Sequence, residues 1–169
     1  LSEPYGSMDW WPCKNGLNDK ADSIRVSILH PSQYRAASNG MLQFETPVGT
    51  DQTLTQWKHR YPIATYLVCF AIPNYTVLQH SATLTNGVLP MYSYCYPEHV
   101  NFFIAEIQEV LDQLVYYDRW FGPYPFMNER YGHVQFSWSG GMEHQTMSFI
   151  GTLDETLVAH ELVHQWFGN

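Results

Sequence analysis

The sequence predicts an α+β protein, β-rich in its first half and helix–strand–helix in its second. Three observations carry this. Residues 23–89 alternate apolar and polar side chains with the period of strands and are broken by two Asn-Gly pairs. Beyond Pro97, apolar residues recur at three- and four-residue spacing, the period of one helical face. From Thr152 a second helical pattern runs to the end of the chain. The change of character sets a boundary near residue 90, giving a β-rich unit over 1–90 and a mixed unit over 91–169.

The elements follow in order. In "SIRVSILHP", Ile24, Val26 and Ile28 alternate with polar neighbours, which predicts a half-buried strand. "AASNGML" places Asn39-Gly40 between two short apolar runs, a hairpin signal. "YPIATYLVCFAIPNY" is β-branched and aromatic throughout and reads as a strand buried on both faces. "SATLTNGVLP" turns at Asn86-Gly87. The stretch "PEHVNFFIAEIQEVLDQLVYYDRWFGPYP" predicts a long helix with Val100, Phe103, Ile104, Ile107, Val110, Leu111, Leu114 and Val115 on its inner face, stopped by Gly122-Pro123. "YGHVQFSWS" alternates Val134, Phe136 and Trp138 with His133, Gln135 and Ser137, a strand with one wetter face. Thr152 with Glu155 three residues on has the form of a capping box opening the last helix.

Composition narrows the class. Hydrophobic residues make up 45%, aromatic residues 16% and charged residues 14%, against a usual charged share of about 25%. So much apolar surface predicts a piece of a larger body whose other parts cover those faces. The net charge is −8 with no Lys/Arg-rich stretch, which argues against nucleic acid or an anionic membrane as partner. No apolar run approaches the ~20 residues of a membrane span. Cys13, Cys69 and Cys95 form no CxxC and read as single thiols. The chain opens at "LSEPYG" without an initiating Met, so targeting is not legible; a secreted or cell-envelope location is the working expectation.

The chemistry is concentrated in "HELVHQWFGN". On a helix His160 and His164 lie one turn apart on one face, so both imidazoles reach a single ion. Glu161, rotated about 100° from His160, sits beside the metal and can take a proton from a metal-bound water. This is the content of HExxH, the pattern of a zinc hydrolase. The plainer alternative is a helix that carries two histidines on an apolar face by chance; the spacing, the glutamate and the cap together argue against it. A catalytic zinc needs three protein ligands and an open position. His30, His59, His80 and His99 read as structural or surface residues, and no spacing marks His133 or His144 as a ligand, so the third ligand is expected outside this chain.

"HELVHQWFGN" preceded closely by "GGMEH" resembles the aminopeptidase N-like zinc metallopeptidases, the gluzincin group that also includes a leukotriene epoxide hydrolase. The paired signature of that family is GxMEN followed by HExxHxWFGN. "SEPYGSMDWWPCKNGL…SNGML" is similar to part of the family's N-terminal β domain, and "WFGPYPF" to a segment of its catalytic domain, so the likeness spans essentially the whole chain. It implies the latter part of a saddle-like β domain followed by the opening part of a thermolysin-like catalytic domain. It further implies one catalytic zinc held by His160, His164 and a later glutamate, with Glu161 as general base. Glu143 would bind the free α-amino group of a peptide substrate, Gly140, Gly141 and Met142 would line its backbone, and Glu3 would add a second acidic contact to the amine. The implied activity is release of N-terminal residues from peptides, with these 169 residues inactive on their own. The alternatives are a zinc hydrolase of a non-peptide substrate, of the epoxide hydrolase type, or a non-catalytic scaffold. Three departures bear on substrate preference: His144 stands where Asn is usual, the segment between the motifs is short, and Leu1 replaces a Gln that lines the first specificity pocket.

Overall fold

Side-chain clamps between distant segments organise the first part of the chain, as seen in the computed structural model, which describes residues 2–168. The chain divides into two compact units, Leu1–Asn74 and Tyr75–Asn169.

In the first unit, β1 (Ile24–Pro31), β3 (Met41–Val48) and β4 (Gln52–His59) form an antiparallel sheet in the order β1-β4-β3. The alternation foreseen for β1 is present, with Ile28 and His30 buried and Arg25, Ser27 and Leu29 exposed. On the central strand Thr55, Trp57 and His59 are all buried, and Thr55 Oγ1 lies 2.8 Å from His30 Nε2. A two-stranded ladder joins β2 (Ala37–Ser38) to β5 (Phe70–Ala71).

Two sequence expectations change here. Asn39-Gly40 does not turn a hairpin: β2 pairs with β5 and β3 with β4, so the dipeptide carries the chain from one sheet to the other. Gly40 has φ +78°, and a Cβ there would collide with the Lys58 backbone, so glycine serves a close crossing. The 61–75 segment is buried as expected over 63–69, with Pro62, Phe70 and Asn74 exposed, and it is not one strand. It holds a 3₁₀ turn, Thr65–Leu67, an isolated bridge from Ile63 to Ala21, and the two residues of β5 in a ladder. Side chains satisfy its backbone instead. Asn39 donates to Leu67 O (3.0 Å) and accepts from Cys69 N (2.9 Å), Ser38 Oγ donates to Cys69 O (2.7 Å), and Ser2 Oγ donates to Tyr66 O (3.1 Å). Buried backbone groups need partners, and here polar side chains take the place of a neighbouring strand.

The second unit is a five-stranded sheet in the order β6-β7-β8-β10-β9, with β6 at Thr76–Leu84, β7 at Gly87–Cys95, β8 at Tyr131–Gln135, β9 at Gly141–Met142 and β10 at Ser148–Ile150. The division between units therefore falls at 74/75 and not near 90. The hairpin β6–β7 is turned at Thr85-Asn86, one residue before the Asn86-Gly87 pair expected to turn it, and belongs to this sheet because β7 pairs in parallel with β8. β8 is parallel to both neighbours and buried at all five positions. The wetter face expected on it is absent, as a strand central to parallel pairs is covered on both sides.

The long helix α1 (Val100–Phe121) is stopped by Gly122 at φ +101°. Its buried stripe is Phe103, Ile107, Val110, Leu114 and Asp118. Burying the four apolar members contributes about 2 kcal/mol each. Ile104 and Val115, expected inside, are about half exposed. Asp118 is buried because its carboxylate accepts from Thr85 N (2.7 Å), Thr85 Oγ1 (2.6 Å) and Tyr124 N (3.0 Å), tying the β6–β7 turn to the helix end. The last helix, α2 (Glu155–Val163), is capped by Asp154 and not by Thr152: the Asp154 carboxylate accepts from Thr156 N and Leu157 N, each at 3.1 Å. No helix among the described residues is long and apolar enough to cross a membrane.

Candidate functional site

Helix α2 presents the motif. His160 is the exposed residue of its last turn, and His164 follows Val163 with φ −61° and ψ −20°, still in the helical region, so the one-turn spacing is kept. The two rings converge, with His160 Nε2 and His164 Nε2 3.4 Å apart. Two imidazole nitrogens bound tetrahedrally at about 2.0–2.1 Å from one zinc stand about 3.3–3.4 Å apart. The tautomer fits as well. His164 Nδ1 is 3.1 Å from Phe167 O; a carbonyl only accepts, so Nδ1 carries the proton and Nε2 turns a lone pair towards His160. A proton on His160 Nε2 or a shared cation reconciles the two facing nitrogens. The pair thus suits a metal of zinc's coordination, as two ligands of a set. Among the described residues no group of three or more His, Cys, Asp or Glu side chains is placed to hold a metal ion.

Glu161 points the other way, into the protein. It is buried, and its Oε2 has no hydrogen-bond partner. Burial, and secondarily the Glu143 carboxylate, push its carboxyl up to about 7. Its side chain lies against β9: a Cβ added to Gly141 would stand 2.6 Å from both Glu161 Cγ and Oε1. The bare backbone of Gly141 is what lets the carboxylate approach, and this contact joins the two motifs.

β9 is the edge strand of the sheet, pairing with β10 through Met142↔Phe149 and Gly141↔Ile150. Gly140, at φ +97°, makes the turn into it and accepts from Gly151 N at 2.9 Å. Met142 is buried and Glu143 half-buried. A cleft of 530 Å³ opens beside Gly140, lined also by Tyr96, His99, Gln135, Trp138 and Gly151. His144 is fully buried, with its ring 5.1 Å edge-on from Phe149. Glu3 belongs to the first unit and is exposed. Leu1, expected at the first specificity pocket, and Asn169, the final residue of the WFGN motif, lie outside the described residues.

The structure thus brings His160, His164, Glu161 and Gly141 together, with Glu143 near enough for its charge to bear on Glu161. Sequence reasoning missed the Gly141–Glu161 contact, the Phe167 carbonyl behind His164, and Gln165, a buried side chain that reaches back to the GGMEH segment. Only Asp154 had a local signal, an N-capping residue type immediately before the helical pattern.

No family model matches the chain. Over 99% of its length it is 30% identical to glutamyl aminopeptidase of Homo sapiens and 26% identical to endoplasmic reticulum aminopeptidase 1 of Homo sapiens. Among solved structures it is similar to an M1 zinc metallopeptidase from Deinococcus radiodurans, with a TM-score of 0.82 and 25% identity over 99% of this chain and 39% of that one. The chain spans about a fifth of the length of the curated relatives it matches (19%). It belongs to the aminopeptidase N-like M1 zinc metallopeptidase family.

Proposed function

We propose that the full-length protein carrying this chain is a zinc aminopeptidase, and that the chain supplies two metal ligands, the general base and the amine-binding carboxylate. The observation that carries the reading is the 3.4 Å convergence of His160 and His164 on the helix that also carries Glu161, whose buried carboxylate oxygen Oε2 has no partner. His160 and His164 would hold the one zinc, with the third ligand supplied from outside the described residues. When bound, zinc supplies a Lewis acid that brings the pKa of water near 7.

Glu161 accepts the proton from water as the water oxygen attacks the first peptide carbonyl. It returns that proton to the leaving nitrogen as the C–N bond breaks, so that a free amino acid and a shortened peptide result. Gly140 and Gly141 offer edge-strand backbone along which the substrate chain can lie, with Met142 completing the strand. Glu143 pairs with the α-ammonium, and its fixed place relative to the histidines measures one residue from the N-terminus. Glu3, in the first unit, is carried as a second amine contact on the family resemblance. Phe102, Ile104, Val115, Tyr116, Trp120 and Phe121 are exposed on α1 and would be covered by the remainder of the protein.

The test compares one peptide with a free N-terminus against the same peptide acetylated, in the zinc-loaded full-length protein. Stepwise cleavage of the free peptide only is expected, with Glu161→Gln lowering kcat by at least a hundredfold. Cleavage of both peptides identifies an endopeptidase, and cleavage of neither moves the assignment to a non-peptide hydrolase or a scaffold.

A further inference from the structure

Between Glu143 and β10 the chain reverses in a tight turn, His144 to Met147, closed by Met147 N donating to His144 O at 2.9 Å. Its third residue, Thr146, has φ +64° and is fully buried. A β-branched residue in the left-handed region is strained by about 1–3 kcal/mol and persists only where its surroundings hold it. Gln165 is one such hold. It is buried, directly follows His164, and its Oε1 accepts from Thr146 N at 2.8 Å. Its Nε2 donates to Glu143 O over a longer 3.4 Å. One amide side chain therefore runs from the residue after the second histidine to both ends of the segment that carries Glu143.

We infer that Gln165 is a positioning residue that sets the distance between the metal-binding turn and Glu143, holding the strained Thr146 turn in register. This rests on the reading of Glu143 as the amine-binding group. The turn is under tension and the strap opposes it, so loosening the strap lets Glu143 drift while the His160–His164 pair stays on its helix. A residue at 146 that adopts positive φ unaided removes the tension and makes the strap dispensable.

The experiment uses the zinc-loaded full-length protein with Gln165→Met, which keeps length and burial but neither hydrogen bond. It also uses Thr146→Gly, Thr146→Asn (which keeps side-chain bulk and tolerates positive φ) and the corresponding double variants. Four quantities are read: kcat and KM for the free and the acetylated peptide, zinc content, and hydrogen exchange at the Thr146 amide. Gln165→Met is expected to raise KM for the free peptide tenfold or more, with a smaller change in kcat, full zinc content and faster exchange at Thr146. At least one substitution at 146 is expected to restore KM in the double variant to within about threefold of wild type.

Loss of zinc together with activity, or a KM that neither position-146 variant restores, means Gln165 only stabilises the helix end and overturns the inference. Unchanged exchange at Thr146 in Gln165→Met overturns it too, because the strap is then not what holds the turn. If instead the wild-type protein cleaves free and acetylated peptides alike, the Glu143 reading itself has failed and the positioning role falls with it, whatever the exchange data show.

Discussion

His133 sits at the middle of β8 with no exposed surface, its Nε2 without a hydrogen-bond partner and its Nδ1 a long 3.5 Å from Ser93 Oγ. The edge of its ring meets Tyr131, with centroids 4.9 Å apart. Burial, and next the charge of His80 on β6, lower its pKa to about 3. Its folded pKa is thus depressed below the unfolded value of about 6.5. Above pH 6.5 both states hold the ring neutral and the folded state bears no penalty. As pH falls from 6.5 towards 3 the unfolded chain takes up a proton the folded chain refuses, so stability drops by up to about 1.4 kcal/mol per pH unit. Other groups titrate in the same range, so the difference between wild type and His133→Phe isolates this one. Urea midpoints at pH 7, 6, 5 and 4 are expected to fall less steeply in the variant. Parallel slopes would show that the ring is protonated without penalty where it lies. The alternation in "YGHVQFSWS" could not reveal this, since it marks periodicity but not that β8 lies inside the sheet between β7 and β10, buried at every position.

At the scale of elements, what was legible was what local chemistry decides. β1 kept its alternation, α1 began after Pro97 and stopped at Gly122, and the HExxH residues lie where the helix period places them. Asn39-Gly40 and the 61–75 segment misled because Asn39 spends its side chain on Leu67 and Cys69, some thirty residues away in sequence. A local pattern holds no record of such a partner. The same limit hid Gln165, whose residue type says nothing until the Thr146 turn is beside it. Cap assignment is decided by side-chain reach: Asp154 accepts two backbone N–H groups of the first turn of α2, and Thr152 lies outside the helix start. Asp154→Ala is therefore expected to cost about 1 kcal/mol, within a range of roughly 0.5–2, while Thr152→Ala is near neutral. Chemical denaturation with a circular-dichroism readout of helix checks the pair. A larger loss at 152 than at 154 would reinstate the capping box.

At the scale of the whole molecule, the two-ligand arrangement has a consequence for metal binding. His160 and His164 are preorganised, the first by its helix and the second also through Nδ1 and Phe167 O, so little entropy is lost when they close on an ion. Two neutral imidazoles nevertheless leave zinc short of the three protein ligands of a catalytic site, and among the described residues no third donor completes the set. Glu161 does not fill the gap, since its carboxylate lies against Gly141. The 169-residue chain by itself is therefore expected to bind zinc at least a hundredfold more weakly than the full-length protein. It should also release the metal during dialysis that leaves the longer protein loaded. Competition titration against a chromogenic chelator, with metal content by elemental analysis, compares the two directly. His164→Ala should abolish the residual binding of the short chain. Glu161→Gln should leave it within about threefold, because that side chain lies against Gly141 and not with the histidine pair. Tight, stoichiometric zinc in the short chain would mean that a further donor within it swings onto the ion. His144 is then the first side chain to substitute, because it lies fully buried next to Glu143.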